Sequence, residues 1–120
     1  MTPTDHELNK LLADVAGVPI KEHWEDGPDG EREGWVYLKQ RDARHEIWPW
    51  WEPLHDHNQM ALVEEGLKKE RYRFSVSWDM TCYMSYLESE EGVVIRRPAP
   101  TKLYALALAI WGLYQQKETL

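Results

Sequence analysis

From residue 72 to residue 79 the chain reads YRFSVSWD, with Tyr72, Phe74, Val76 and Trp78 alternating against Arg73, Ser75, Ser77 and Asp79. Successive side chains of a strand point to opposite faces, so a period of two describes a strand with one dry and one wet face. The pattern argues against a helix here and makes Trp78, with Phe74 and Val76, an expected core residue. Two more strand-like segments follow, CYMSYLE and VVIRR, with the turn SEEG between them. Connections this short join antiparallel neighbours, and the three segments read as a meander.

Helical periods flank the meander. Thr4 and Glu7 have the spacing of a capping box, Leu8, Leu11, Leu12 and Val15 recur on one helical face, and Gly17 is a natural stop, which predicts a helix over roughly Thr4 to Ala16. Asp56 can cap a second helix, with Gln59 at its third position, whose face of Met60, Val63 and Leu67 continues to about Glu70. After PAPT, Thr101 caps a last helix running to about Gln115. Between the first two helices, IKEHW and WVYLKQ flank the turn-rich EDGPDGE and predict a hairpin with its loop at Asp26 to Gly30. Arg41 to Leu54 is irregular and contains Pro49 and Pro53, which hold their preceding residues extended, so a connecting loop is expected. The fold class that follows is α+β: a mostly antiparallel sheet of three to five strands packed with two or three helices, in one domain over residues 1–120.

The last helix carries Leu103, Tyr104, Leu106, Leu108, Ile110, Trp111, Leu113 and Tyr114 on nearly every side. An all-round apolar helix needs cover, and a second copy of the chain is the expected source, which implies a homo-oligomer. Its apolar run has about twelve residues against the roughly 20 of a membrane span, so no membrane association is expected. A net charge of −7 disfavours non-specific nucleic-acid binding and favours a basic partner surface. Cys82 is the one cysteine and cannot form an internal disulfide, and the polar start MTPTDHELNK lacks a leader pattern, so a cytoplasmic protein is expected.

Seven tryptophans and six tyrosines against one phenylalanine leave much of the apolar work to rings with a polar tip, which suit half-wet surfaces. Three of them crowd into WPWWEPLHDH. Trp48, Trp50 and Trp51 lie in a segment stiffened by Pro49 and Pro53, where flat rings can be presented at small ordering cost. They could stack a base or anchor a protein contact, and with His55, Arg96 and Arg97 they form the candidate binding set, the plain alternatives being that the tryptophans are core and the two arginines an exposed strand end. Because neighbours in extended chain point apart, at most one of Trp50 and Trp51 can be inside, the expectation being that one packs near Met60 while the other meets a ligand. The acidic run Glu25 to Glu33 reads as solvated, or as a mimic occupying a basic groove.

Catalysis finds little support in the residues. Cys82 has no histidine at a fixed local spacing, and there is neither a phosphate loop nor a Gly-x-Ser-x-Gly serine, so no catalytic residues are assigned. His55 and His57 are two apart at a helix start and diverge, without the i, i+4 pair of a helical zinc site, so no metal or cofactor is assigned either. The alternative is a metal-dependent hydrolase assembled from His45, His55, His57 and nearby carboxylates.

Taken together, the segments ELNKLLADVAG, WPWWEPLHDHNQMALVEEGL and PAPTKLYALALAIWGL resemble small phage and prophage proteins of the phage ABA-sandwich type. In that pattern a helix opening Asp-x-Asn-x-Met precedes an antiparallel hairpin and a Pro-led, Ala-rich terminal helix. Asp56, Asn58, Met60, Pro100, Ala105, Ala107 and Ala109 match it, over most of the chain. The resemblance implies a phage origin and no transferable activity. Together with the acidic charge and missing catalytic motifs, it leads to the expectation of a non-enzymatic inhibitor in the bacterial host. Such a protein would counter antiviral defence by masking a host defence protein or sequestering a small nucleotide signal. An accessory virion protein is a further alternative.

Overall fold

The computed structural model describes residues 2–28, 30–37, 40–41, 46–47 and 49–118. Helix α1 (Asp5–Ala16) starts where the capping box is closed on both sides: the Glu7 N–H donates to Thr4 Oγ1 at 3.1 Å, and the Thr4 N–H donates to the Glu7 carboxylate at 3.4 Å. It ends at Gly17, whose φ of 70° is left-handed and lets the chain turn without a Cβ penalty. Strands β1 (Ile20–Gly27) and β2 (Gly30–Tyr37) then form an antiparallel hairpin whose pairing runs as far as Gly27 with Gly30, further than the expected loop allowed. Short strands β3 (Gln40–Arg41) and β4 (Glu46–Ile47) pair with each other. Helix α2 (His57–Lys69) is capped by Asp56, which accepts from the N–H groups of Asn58 and Gln59. Strands β5 (Arg73–Asp79), β6 (Cys82–Glu88) and β7 (Val94–Ala99) make the antiparallel meander, and α3 (Lys102–Glu118) closes the described chain. Thr101 caps α3 by accepting from the Tyr104 N–H at 3.2 Å.

The protein is therefore α+β, three helices with antiparallel strands. The strands divide into separate ladders, β1–β2, β3–β4 and β5–β6–β7. Within the stretch expected to be a connecting loop, the part described from Pro49 to Trp51 is paired: Trp50 bridges Val36, and the Pro49 carbonyl accepts from the Tyr37 N–H at 3.0 Å. A third line of chain thus runs beside β2.

Helix α3 packs across β5, β6 and β7 and also against α1, while α1 packs on α2 and β2. Ala105, Leu106, Ala107, Ala109, Ile110 and Leu113 are all buried. Leu103, Tyr104, Leu108, Trp111 and Tyr114 stay half-buried, so the chain itself covers one side of this helix fully and the rest in part. Small residues set the close approaches: a Cβ on Gly66 of α2 would lie 2.8 Å from the Val15 carbonyl carbon of α1, and one on Gly112 would lie 3.2 Å from Ile95. No helix among the described residues is long and apolar enough to cross a membrane.

Trp78 corrects the reading of β5. Phe74 and Val76 are half-buried, but Trp78 is 59% exposed. Alternation assigns Trp78 to the α3-facing side, yet β5 is an edge strand and Trp78 lies near its far end, where its ring contact is an edge-on one with Tyr83 at 5.0 Å. Period two identifies the face of a strand and not whether anything covers it.

The Cα radius of gyration is 15.5 Å, above the about 13.6 Å expected for a compact chain of this length. Part of the excess is the distal half of the β1–β2 hairpin, exposed throughout from Trp24 to Glu33 among the described residues.

Candidate functional site

The register of the hairpin determines which groups meet. Cross-strand pairs share a face, so Trp35 lies with Glu22, and Trp24 with Glu33, on the side toward α1, whereas Gly34 with His23 and Arg32 with Glu25 lie on the outer side. The segment beside β2 continues this alternation. Trp50, opposite Val36, falls on the outer side and is half-buried, while Trp51 turns inward and is 1% exposed.

Trp51 belongs to the core. Its ring meets Tyr37 edge-on at 5.2 Å, its Nε1–H donates to the Asn9 carbonyl of α1 at 2.7 Å, and its N–H donates to the Trp35 carbonyl at 2.7 Å. A ring enclosed this far cannot present itself to a partner, which removes Trp51 from the candidate binding surface. Its polar anchor is on α1, not on α2 where Met60 sits.

Trp50 is placed differently. Its ring lies across Gly34, where a Cβ would come within 3.3 Å of Cζ3, so glycine is what lets the indole rest on the strand. The Arg32 guanidinium lies 4.0 Å from the ring centroid, a cation–π contact, and is ion-paired with Glu52. His23 stands at 5.5 Å from the same ring. Gln59 holds the backbone behind it, its Nε2 donating to the Trp50 carbonyl at 2.9 Å and its Oε1 accepting from the Glu52 N–H at 2.5 Å. The residue expected to complete the cap of α2 thus braces the Trp segment.

Between this segment, β2 and α1 is a cleft of about 200 Å³ lined by His6, Asn9, Arg32, Trp35, Trp50 and His55 among others. His6 stacks on Trp35 with centroids 4.5 Å apart and planes 24° apart, the Trp35 Nε1–H donates to the His6 carbonyl at 2.9 Å, and Lys10 Nζ is 6.0 Å from the Trp35 ring. His6 also meets Glu22 at 3.1 Å. Asn9 Oδ1 is buried and, among the described residues, has no hydrogen-bond partner. The structure thus brings Trp50 and His55 together on one cleft, with Trp51 behind them. Trp48 and His45 lie outside the described residues.

Arg96 and Arg97 are elsewhere. As strand neighbours they face opposite sides of β7: Arg96 lies over Tyr86 at 5.4 Å, and the Arg97 side chain lies against α3, where a Cβ on Gly112 would be 2.9 Å from its Nη2. Neither lines the Trp cleft. The residues missed in the sequence were His6, Asn9, Arg32, Gly34 and Trp35. A signal for Arg32 was available, since it is the one cation in the acidic run from Glu25 to Glu33.

Two ion pairs flank the rings, Arg32 with Glu52 in the cleft and His6 with Glu22 beside it, and they orient Trp50 and Trp35. Among the described residues no three His, Cys, Asp or Glu side chains gather so as to hold a metal ion. On the inner side, burial pushes the Tyr37 phenol above its ordinary 10.0, the Asp56 carboxylate adds to this, and a hydrogen bond with Gln59 opposes it. Compared with known protein families, characterised proteins and solved structures, the chain matches none.

Proposed function

We propose that this chain is a non-enzymatic binding protein of phage or prophage origin that counters host antiviral defence by masking a protein component. The phage context rests on the resemblance carried by Asp56, Asn58, Met60 and the Pro-led, Ala-rich terminal helix. The observation that carries the binding reading is Trp50. It is a half-buried indole backed by Gly34, flanked by Arg32 and His23, and braced from behind by Gln59. Tryptophan and arginine are enriched among the residues that anchor protein interfaces, and a half-buried ring already held in place loses little freedom when a partner covers the rest of it.

Size favours a protein over a nucleotide. Small-ligand sites are typically about 300–1,000 Å³, and the cleft of about 200 Å³ suits a single inserted side chain better. Next to it the hairpin carries Glu22, Glu25, Asp26, Glu31 and Glu33, with Trp24 55% exposed among them, a surface complementary to a basic partner. The proposed site of action is the cytoplasm of the bacterial host.

The test is a pull-down from host lysate with the wild-type chain, Trp50→Ala and Trp24→Ala, each checked for native circular dichroism. A partner captured by the wild type and lost from Trp50→Ala is the expected result. Retention of the same partner by both folded variants would overturn the assignment. A thermal upshift with one nucleotide would move the reading to sequestration, because a ligand at 100 times its Kd stabilises the native state by about 2.7 kcal/mol.

A further inference from the structure

A second cavity lies on the other side of the segment that carries Trp50. It measures about 510 Å³, within the roughly 300–1,000 Å³ range of small-ligand sites, and opens between the turn after α1, Pro49 and the start of α2. Its apolar walls include Pro19, Pro49 and Leu62, and Leu62 is 42% exposed although its neighbours on α2, Met60 and Val63, are buried. Tyr37, only 8% exposed, and Asp56 supply polar groups.

The carboxylate determines what would be welcome there. Asp56 Oδ1 accepts from the Asn58 and Gln59 N–H groups at 2.9 and 3.2 Å, so the cap consumes one oxygen and the first donors of the helix. Among the described residues no cation pairs with the second oxygen. The positive end of α2 would favour an anion, but the Asp56 carboxylate already meets it, so an incoming anion would find those N–H groups taken and a like charge beside them. Among the described residues, a cation would find a carboxylate with no ion-pair partner, an adjacent phenol and apolar walls for a hydrocarbon stem, on a protein whose net charge of −7 draws cations toward it.

We propose that this cavity binds a primary ammonium or guanidinium group on a short apolar stem, with the cation at Asp56 and the stem along Pro19, Pro49 and Leu62. The chemistry is that of a lysine or arginine side chain or of a free alkylamine. The site is separate from the Trp cleft, and Trp50→Ala leaves it intact.

The test is an amide NMR titration of the full chain with n-butylammonium chloride, n-butanol as the uncharged control, and the peptide Gly-Lys-Gly. Asp56→Asn serves as the main variant, because asparagine caps a helix as well as aspartate does while carrying no charge. Leu62→Ala tests the stem contact at a position where the fold is not at risk. Butylammonium is expected to give saturable shifts at Val18, Asn58 and Leu62, with binding at least tenfold weaker to Asp56→Asn and also weaker to Leu62→Ala. Tighter binding of the peptide than of butylammonium would support a protein side chain as the occupant, and the reverse order would support a free amine. Equal binding of n-butanol, unchanged affinity of Asp56→Asn, or shifts confined to the acidic hairpin would overturn the proposal.

Discussion

Replacing Trp51 by alanine tests the division of labour in the Trp segment most directly. The side chain is 1% exposed, and burying a tryptophan removes about 150–250 Å² from water, which at about 25 cal/mol per Å² is worth about 4–6 kcal/mol. Alanine keeps some of that burial and the cavity relaxes in part, so Trp51→Ala should cost about 3–5 kcal/mol, including the hydrogen bond lost to the Asn9 carbonyl. Trp78 gives the contrast. It is 59% exposed and has one edge-on partner in Tyr83, so Trp78→Ala should cost about 1 kcal/mol or less. Urea unfolding followed by far-ultraviolet circular dichroism avoids the loss of indole fluorescence. With a slope of about 2 kcal/mol per molar, the Trp51 variant should move the midpoint down by about 2 M and the Trp78 variant by less than about 0.5 M. Equal shifts, or a larger one for Trp78, would refute the burial argument and return Trp78 to the core.

Two further outcomes are expected. Gly66→Ala should destabilise by about 1–3 kcal/mol or more, although alanine is the better helix former by about 1 kcal/mol, because the new Cβ would collide with the Val15 carbonyl of α1; a raised urea midpoint would show that the two helices can separate freely. Stability should also fall above about pH 10: the Tyr37 phenol holds its proton more tightly folded than unfolded, so its contribution is complete below the ordinary value of 10.0 and is lost as pH rises through the raised one. Tyr86, raised chiefly by its hydrogen bond to Glu88, acts in the same direction at the surface. Comparing urea midpoints at about pH 8 and about pH 11 should show a smaller drop for Tyr37→Phe than for the wild type, and an identical drop would remove Tyr37 from the account.

Local signals in the sequence were sufficient for the three helices, the β1–β2 hairpin and the meander, though not for β3 and β4. The Thr4–Glu7 box, the Asp56 cap, Gly17 and the alternation through Phe74 and Val76 depend on interactions within a few residues, and each appears where the spacing placed it. Alternation also implied that Trp50 and Trp51 face opposite sides, since that follows from backbone geometry alone. Which of the two is inside was not legible, because it depends on α1 lying over one face of the β2 ladder and offering the Asn9 carbonyl. The same holds for Trp78, whose strand pattern is correct but which lies at an exposed end of the edge strand. It holds again for α3, whose apolar residues only the tertiary structure divides into those buried under the sheet and α1, such as Ile110 and Leu113, and those left half-buried, such as Leu108 and Trp111. The candidate cleft was the least legible part. It joins His6 on α1, Arg32 and Trp35 on β2, and Trp50 and His55 from the segment before α2, residues far apart in the chain. Composition and periodicity report on a residue's own element, whereas a cleft is made by contacts between elements, and those are decided only when the burial demands of every face are met at once.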